Sequence, residues 1–371
     1  MQVQDIEFVG LRTPLPSPAV FSWGSAEERN VGLVRVVLSD GTEGWGETSV
    51  TFPLWSLEER AATVRGIAAL ATGRRLESSG DIARIVSEMT RSTDRLRLLW
   101  SPTGISAAIG AIEMALWDAW GRVQDRPVWE ILGGADIEIP LYAVGFGGSP
   151  TEVAEITSML LGEGYAAVKI RVGFEPDADV ALVEAVSAVA GDRLYVDVNM
   201  GWGRSQAAEM IPRLNDFGLG WLEEPLSRDD REGLRLLRDI AKMPLAAGEN
   251  CYSEAELVSL AESRLVEVVM PDLARVGGLG AGIAGARTAR ANDLGYSPHH
   301  YASDIGFAAM ATLCAVVGEP RPILRDVSPW PIRTELLSEP LSLEHGVTRP
   351  YSGAGLSPAP DPHIIEEHRV L

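Results

Sequence analysis

Short apolar segments recur along residues 165–300, and each ends in a charged or polar side chain. Between two of these segments, from Gly203 to Phe217, the composition is helical. Successive polar positions are 28, 26, 26, 23 and 27 residues apart: Lys169, Asp197, Glu223, Glu249, Asp272 and His299. A strand, a helix and two short loops occupy roughly that many residues. The spacing predicts a (β/α) barrel, since a doubly wound sheet would place its site at one switch point.

The chain before the barrel has a different pattern, which predicts an α+β domain. Met1–Leu11 alternates as a strand does, and Arg12–Glu28, with three prolines, is predicted to be a long loop. An Asp-Gly turn then joins two β-rich runs into a hairpin. A second loop carries Phe52 and Trp55, and helical periodicity extends from Leu57 to about Gln124.

These patterns divide the chain into three parts. We expect an N-terminal domain at residues 1–134 and the barrel at residues 135–328, with Gly133-Gly134 at the boundary. Residues 329–371 contain no eighth barrel helix and are predicted to return to the first domain. Leu341–Glu344 and Ile364–Val370 resemble short strands.

The charge balance narrows the classes of partner. The 371 residues include 52 acidic and 32 Lys or Arg side chains, a formal net charge of −20, which argues against nucleic acid or anionic membranes as partners. Two cysteines are too few for a disulfide framework. We see neither a secretory signal nor a run of about 18 apolar residues, and therefore expect a cytoplasmic protein.

Three of the acidic positions suggest a metal site. Asp197, Glu223 and Glu249 follow consecutive predicted strands, whose carboxyl ends share one face of a parallel barrel. Three converging carboxylates repel one another unless a cation neutralises them, and oxygen ligands suit Mg²⁺. The alternative is that each acid caps a helix or forms a surface salt bridge.

The remaining polar positions supply candidates for proton transfer. Lys169 and Arg171 alternate on one strand and point to the same side of it. They either balance the carboxylate charge, or Lys169 has a lowered pKa and acts as a general base. Asp272 and either His299 or His300 are expected to form a dyad in which the carboxylate fixes the tautomer of the imidazole.

Six motifs, taken together in this order, resemble those of the enolase superfamily and, within it, the mandelate racemase-like subgroup: VKIRVG, DVNMGW, WLEEP, AGEN, MPDLARVGG and SPHHYASDIGFAA. The hairpin ending GWGE and the segment AIEMALWDAWGRVQDRPVWEILGG extend the similarity to nearly the whole chain. The resemblance implies an α/β fold, namely a modified TIM barrel of the (β/α)7β type with an α+β N-terminal capping domain. It also implies Mg²⁺ as the cofactor and a small carboxylate as the substrate.

The resemblance also implies roles for individual residues. The metal ligands would be Asp197, Glu223 and Glu249, and the catalytic groups Lys169, Asp272 and one of the two histidines. Arg171 stands where the family usually has the second lysine of a Lys-x-Lys motif, and with Asn199 it is expected to bind substrate. Two capping loops, Pro14–Glu28 and Thr48–Trp55, would close over the substrate, with specificity set around the aromatic side chains Phe21, Trp23, Phe52 and Trp55.

The expected reaction is Mg²⁺-dependent removal of the proton next to a carboxylate, through an enediolate. With one competent acid–base group, dehydration of a sugar acid to a 2-keto-3-deoxy acid is the first choice. A racemase or epimerase of a 2-hydroxy or amino acid is the second. A non-catalytic metal-binding scaffold or sensor is the third, and a homo-oligomer is expected in each case.

Overall fold

The computed structural model describes the backbone of residues 1–21, 24–99 and 101–371, and the side chains of all of these except 21, 97–99 and 102. The N-terminal domain combines an antiparallel sheet with helices: β1 (Val3–Phe21), β2 (Gly24–Leu38), β3 (Glu43–Thr48), α1 (Ser56–Ala68), α2 (Ser79–Leu99), α3 (Pro102–Val123) and α4 (Val128–Ile131). The sheet has the order β1-β2-β3 and packs against α3. Gly44 and Gly46 allow this packing, because a Cβ atom there would collide with the α3 backbone.

The long loop predicted for Arg12–Glu28 is wrong. The described residues of this range belong to β1 and β2, which pair along most of their length. The prolines that suggested a loop lie near a register shift between Pro14 and Ala19, on the edge strand of the sheet. Proline is tolerated at such irregular edge positions because no ladder hydrogen bond is required of it.

The second domain is a parallel barrel of alternating strands and helices: β4 (Ile139–Val144), α5 (Pro150–Gly162), β5 (Ala167–Arg171), α6 (Pro176–Ala190), β6 (Leu194–Asp197), α7 (Arg204–Leu214), β7 (Trp221–Glu223), α8 (Arg231–Arg238), β8 (Leu245–Ala247), α9 (Glu254–Ser263), β9 (Val268–Val269), α10 (Leu273–Val276), α11 (Leu279–Ala291), β10 (Gly295–Tyr296), α12 (Asp304–Val317) and β11 (Ile323–Asp326).

The strands follow one another in chain order from β4 to β10, and β11 pairs with β4. The Arg321 N–H, just before β11, donates to the Tyr296 carbonyl of β10 at 2.9 Å and joins the two ends of the sheet. Apart from the short α10, one helix lies between each pair of consecutive strands, and the chain leaves the barrel after β11. The predicted (β/α)7β architecture with an α+β capping domain is confirmed.

An aromatic cluster fills the barrel below the predicted site. The Tyr195 and Trp221 rings are stacked with centroids 3.4 Å apart, and Tyr142 meets both rings edge-on. Lys169 lies above this cluster, with its Nζ 5.8 Å from the Tyr142 ring centroid. The cluster therefore forms an apolar layer beneath the polar end of the barrel.

The C-terminal segment contacts both domains through α13 (Ile332–Glu335), β12 (Leu343–Glu344), β13 (Val347–Thr348) and α14 (Pro362–His368). β13 pairs with β4 of the barrel. The chain end reaches the capping sheet, where the Val370 N–H donates to the Gly10 carbonyl at 2.8 Å. The strand predicted at Ile364–Val370 is wrong, because Asp361 caps a helix over most of these residues. Within the described ranges, no helix is long and apolar enough to cross a membrane.

Candidate active site

The predicted polar residues meet at the carboxyl end of the barrel. Lys169 belongs to β5, and Asp197 and Glu223 are the last residues of β6 and β7, where they lie opposite each other in register. Glu249, Asp272 and His299 follow β8, β9 and β10. All six side chains are buried. Because the strands are parallel, residues 23 to 28 apart in sequence reach the same end of the barrel.

Lys169 forms a buried contact with two of the predicted metal ligands. Its Nζ lies 2.7 Å from Glu223 Oε1 and 3.2 Å from Asp197 Oδ2. Burial lowers the pKa of Lys169, but these two carboxylates outweigh it and raise the pKa well above its usual value. Of the two alternatives for Lys169, these contacts favour charge balance, because its nearest neighbours are anionic and stabilise the ammonium.

The site carries an excess of negative charge. The pKa of Glu223 is raised well above its usual value, because burial and the charge of Asp197 both disfavour its carboxylate. Lys169 also lies within the electrostatic influence of Glu249. Three carboxylates facing one ammonium explain why the pKa of both the lysine and the acid is raised.

His299 forms the predicted dyad geometry with Asp272. Its Nδ1 lies 2.8 Å from Asp272 Oδ2, and its Nε2 lies 3.0 Å from Glu249 Oε2. Burial raises the pKa of Asp272, but Arg275 and the hydrogen bond from His299 lower it below its usual value. The imidazole is thus held at both ring nitrogens, in an orientation fixed by two strand ends.

His300 points to a different part of the molecule. Its Nε2 lies 2.8 Å from the Ser303 carbonyl oxygen and 3.5 Å from Glu47 Oε2 of the capping domain. Glu47 also accepts hydrogen bonds from the backbone of Ser303 and Gly306 at the start of α12. Of the two adjacent histidines, the structure brings His299 to Asp272 and uses His300 in the contact between domains.

Arg275 and Asn250 complete the side of the site around Glu249. Arg275 Nη1 lies 3.2 Å from Glu249 Oε1 and donates to Asn250 Oδ1 at 3.0 Å, while Arg275 Nε lies 3.3 Å from Asp272 Oδ2. Burial alone would raise the pKa of Glu249, but His299 and Arg275 lower it. Asn250 was not predicted, although its position directly after Glu249 was the available signal.

Glu224 is a second buried acid that sequence reasoning set aside. It adopts a left-handed backbone conformation with φ of 40° and accepts a hydrogen bond from Asn250 Nδ2 at 2.6 Å. Burial and the charge of Glu249 raise the pKa of Glu224 to about 8. The Glu-Glu pair in WLEEP was visible in the sequence, but only the strand register shows that the two side chains point to different surroundings.

The donor chemistry of the site suits Mg²⁺. Asp197, Glu223 and Glu249 offer only carboxylate oxygens, and a divalent cation would relieve the repulsion that raises the pKa of Glu223. Their present partners differ, because Lys169 bridges two of them and Glu249 pairs with His299 and Arg275. Among the described residues, no group of three or more His, Cys, Asp or Glu is arranged as a metal-ligand cluster. Metal binding therefore requires these side chains to exchange partners.

Two cavities adjoin these residues. The smaller, of about 260 Å³, is polar and is lined by residues that include Phe52, Asp197, Asn199, Glu249, Arg275 and His299. The larger, of about 860 Å³, extends between the capping hairpin and the barrel and reaches Lys169. Arg171 and Tyr301 line both cavities, and the Arg171 guanidinium lies 5.1 Å from the centre of the Tyr301 ring.

The aromatic residues predicted to close over the substrate lie in different surroundings. Phe52 lines the smaller cavity, in the irregular segment between β3 and α1. Trp55 lies just before α1, is 68% exposed and lines neither of these two cavities. Its ring is therefore directed to solvent, and its predicted substrate contact stays a prediction. The Phe21 side chain and Trp23 lie outside the described residues.

Tyr301 and Arg29 were not predicted as part of the site. Arg29, from β2, lies with its guanidinium 4.1 Å from the Tyr301 ring centre and 2.9 Å from Asp326 Oδ2. The capping-loop residue Thr51 donates from its hydroxyl to the Tyr301 carbonyl at 3.0 Å. These contacts link both capping segments to the loop that carries His299. Tyr301 could have been identified from its place within the motif SPHHYASD, whereas nothing in the sequence pointed to Arg29.

Comparison with known proteins gives the chain a family. Residues 5–133 match the family described as mandelate racemase / muconate lactonizing enzyme, N-terminal domain, and residues 152–364 match the family described as enolase C-terminal domain-like. The chain is 32% identical to a mandelate racemase/muconate lactonizing enzyme from Bordetella bronchiseptica RB50, a solved structure that superposes with a TM-score of 0.86 over 99% of each chain.

Relatives of known activity differ in their reactions. An L-Ala-D/L-amino acid epimerase from Populus trichocarpa is 28% identical, and the match covers 73% of this chain but only 64% of that protein. A D-gluconate dehydratase from Thermoproteus tenax is 27% identical over 91% of this chain and 69% of its own length.

Ligands are present in other solved structures of the same fold. One that is 27% identical is complexed with 2-oxoglutarate/phosphate. Two that are 23% identical hold magnesium, one of them with mandelic acid, and likeness at that level shows the shared fold alone. With both domain families matched in order along its length, the chain belongs to the mandelate racemase/muconate lactonizing enzyme family of the enolase superfamily.

Proposed function

We propose that this enzyme removes the proton next to the carboxylate of a hydroxy acid in the presence of Mg²⁺, and that loss of the β-hydroxyl from the enediolate gives a 2-keto-3-deoxy acid. The sugar acids are the substrate class expected from the sequence. One observation carries the proposal: His299 is held by Asp272 at 2.8 Å and lines the smaller cavity together with two of the candidate metal ligands.

His299 is the proposed proton carrier. In its neutral form, with Nδ1–H donating to Asp272 and Nε2 released from its contact with Glu249, the Nε2 atom has a lone pair for the substrate proton. When the bond between the β-carbon and its hydroxyl breaks, the same nitrogen returns the proton to the leaving oxygen, and water departs. The resulting enol becomes the 2-keto acid. One group thus handles the proton twice, with no external oxidant or reductant.

The cations and acids around the cavity have supporting roles. Asp197, Glu223 and Glu249 would hold the Mg²⁺, which when bound supplies a Lewis acid for the charge that develops on the substrate carboxylate. Lys169 and Arg171 add positive charge on the other side of the site. Arg171 does not exchange its proton, because guanidinium remains charged in proteins.

Racemisation or epimerisation is the second candidate, and one observation favours it. Lys169 lies on β5 and His299 follows β10, so the two groups approach the site from different sides of the barrel. A raised Lys169 pKa keeps a proton available for the face opposite His299. The epimerase among the relatives supports this alternative, and the gluconate dehydratase supports dehydration.

Proton exchange in deuterated water separates the candidates. The enzyme is incubated with Mg²⁺ and a panel of sugar acids, 2-hydroxy acids and N-acylated amino acids, and loss of the α-proton signal is followed by NMR. We expect exchange together with a 2-keto-3-deoxy product, and no reaction after chelation until Mg²⁺ is restored. Exchange with inversion and no dehydration would overturn the proposed reaction in favour of a racemase. No exchange with any acid would indicate a scaffold or sensor.

A further inference from the structure

The larger cavity differs from the smaller one in chemistry as well as in size. Its walls include Phe146 after β4, Phe174 after β5 and Leu182 of α6 on the barrel side. Leu15 and Val20 of β1 line it on the capping side. The smaller cavity is lined mainly by charged and amide side chains. A molecule that occupies both cavities must therefore have one polar part and one apolar part.

The two cavities are continuous at the reaction centre. Arg171 and Tyr301 line both, and Lys169 lies at the inner end of the larger one. A carboxylate near these two cations can reach the His299 side in one direction and the apolar walls in the other. The Tyr301 ring, flanked by Arg29 and Arg171, forms the boundary between the two spaces.

The mouth of the larger cavity exposes apolar surface that a ligand would cover. Val20 of the capping hairpin is 58% exposed and Phe174 of the barrel is 50% exposed, and both line this cavity. Burial of apolar side chains removes this surface from water and contributes favourably to binding. A polyhydroxylated chain would instead place hydroxyl groups against the side chains of Phe146 and Leu182, which offer no hydrogen-bond partner, and burial of an unpaired hydroxyl is costly.

We propose that the substrate is an amphiphilic acid, with its carboxylate between Arg171 and the candidate metal ligands and an alkyl or aryl substituent in the larger cavity. This inference rests on the proposed function and specifies its substrate class: a 2,3-dihydroxy acid with an apolar tail is preferred over a sugar acid of the same length. The preference arises from the cavity walls and not from the groups that handle the proton.

A homologous series tests the preference. Straight-chain 2,3-dihydroxy acids of five, seven and nine carbons are compared with polyhydroxylated acids of five, seven and nine carbons, and kcat/KM is measured with Mg²⁺. We expect kcat/KM to rise about fourfold per added methylene until the cavity is filled. The polyhydroxylated acids should show no such rise. A flat series for the alkyl acids, or equal values for the two series, would overturn the inference.

A cavity-filling variant localises the effect. Ala181 lies on α6, is exposed and lines the larger cavity. Ala181→Phe should therefore reduce kcat/KM for the nine-carbon acid at least tenfold. For the five-carbon acid, kcat/KM should change less than twofold. Ala188, exposed on the same helix, does not line the cavity. Ala188→Phe is the matched control and should leave the whole series unchanged.

The outcomes distinguish this inference from the proposed function. If no acid of either series exchanges its α-proton, the proposed reaction fails and the inference that rests on it is overturned too. If sugar acids are dehydrated as well as or better than alkyl acids, the reaction stands and the amphiphilic substrate is excluded. If Ala181→Phe and Ala188→Phe behave alike, the apolar tail lies outside this cavity and the inference is overturned.

Discussion

Lys169 and His299 each lie between two buried carboxylates, yet the two surroundings are electrostatically different. Lys169 contacts Asp197 and Glu223 at 3.2 and 2.7 Å. His299 contacts Asp272 and Glu249 at 2.8 and 3.0 Å. Similar distances and the same number of acids would suggest similar behaviour, but the neighbours of these acids differ.

Arg275 is a second cation on the His299 side of the site. Arg275 contacts both acids that flank His299, Asp272 at 3.3 Å and Glu249 at 3.2 Å, and neutralises part of their charge. The charge of the acids that flank Lys169 outweighs burial and raises the pKa of its ammonium, and Asp197 also interacts electrostatically with Arg171. The Lys169 side of the site is therefore suited to keep a charge, and we propose that the proton is exchanged on the His299 side.

Substitution of His299 is the most direct test of this difference. His299→Asn keeps a polar side chain, but an amide cannot take up a proton from the substrate at neutral pH. We expect turnover to fall about 10²- to 10⁴-fold, the range typical for loss of a general acid–base group. Turnover is measured as α-proton exchange, and thermal unfolding checks that the fold is intact.

His300→Asn is the matched control for this prediction. Its ring contacts Ser303 and Glu47 and lies outside the two cavities. The variant should lose some stability at the domain contact and retain most of its turnover. Near-normal turnover in both variants would exclude the dyad and leave Lys169 as the only base.

At Lys169 the expected effect is on stability more than on proton transfer. Lys169→Met leaves Asp197 and Glu223 buried without their cation, which typically costs about 3–5 kcal/mol of unfolding free energy. Because burial and the charge of Asp197 raise the pKa of Glu223, the loss should diminish as the pH falls and Glu223 takes up a proton. Added Mg²⁺ should restore stability at pH 7 for the same reason.

Urea unfolding at two pH values, with and without Mg²⁺, measures this effect. Lys242 is the chain's other lysine, and it pairs with Asp216 on the surface. Lys242→Met should change the unfolding free energy by about 0.5 kcal/mol or less at either pH. Equal effects of the two substitutions would mean that the Lys169 contacts contribute no more than a surface pair.

These same positions show which features of the site can be predicted from the sequence. The spacing of strand ends predicted that Lys169 and His299 would share one end of the barrel, because parallel strands impose this geometry on any chain with that period. It did not predict that Arg275 would partner the acids beside His299, since side-chain direction at a strand end depends on neighbours from other strands. The pairing of β1 with β2 over Arg12–Glu28 was missed because the prolines of this range resemble those of a loop.

The smallest expected effects separate the two aromatic residues of the capping loop, Phe52 and Trp55. Phe52 lines the smaller cavity, so Phe52→Ala should weaken substrate binding by about 1–2 kcal/mol through lost apolar contact, seen as a five- to thirtyfold rise in KM. Trp55 is exposed, and Trp55→Ala should change stability by about 0.5 kcal/mol or less and leave KM unchanged. Steady-state kinetics on both variants gives the answer. A rise in KM for Trp55→Ala equal to that for Phe52→Ala would mean that the loop closes further over bound substrate and brings Trp55 into the site.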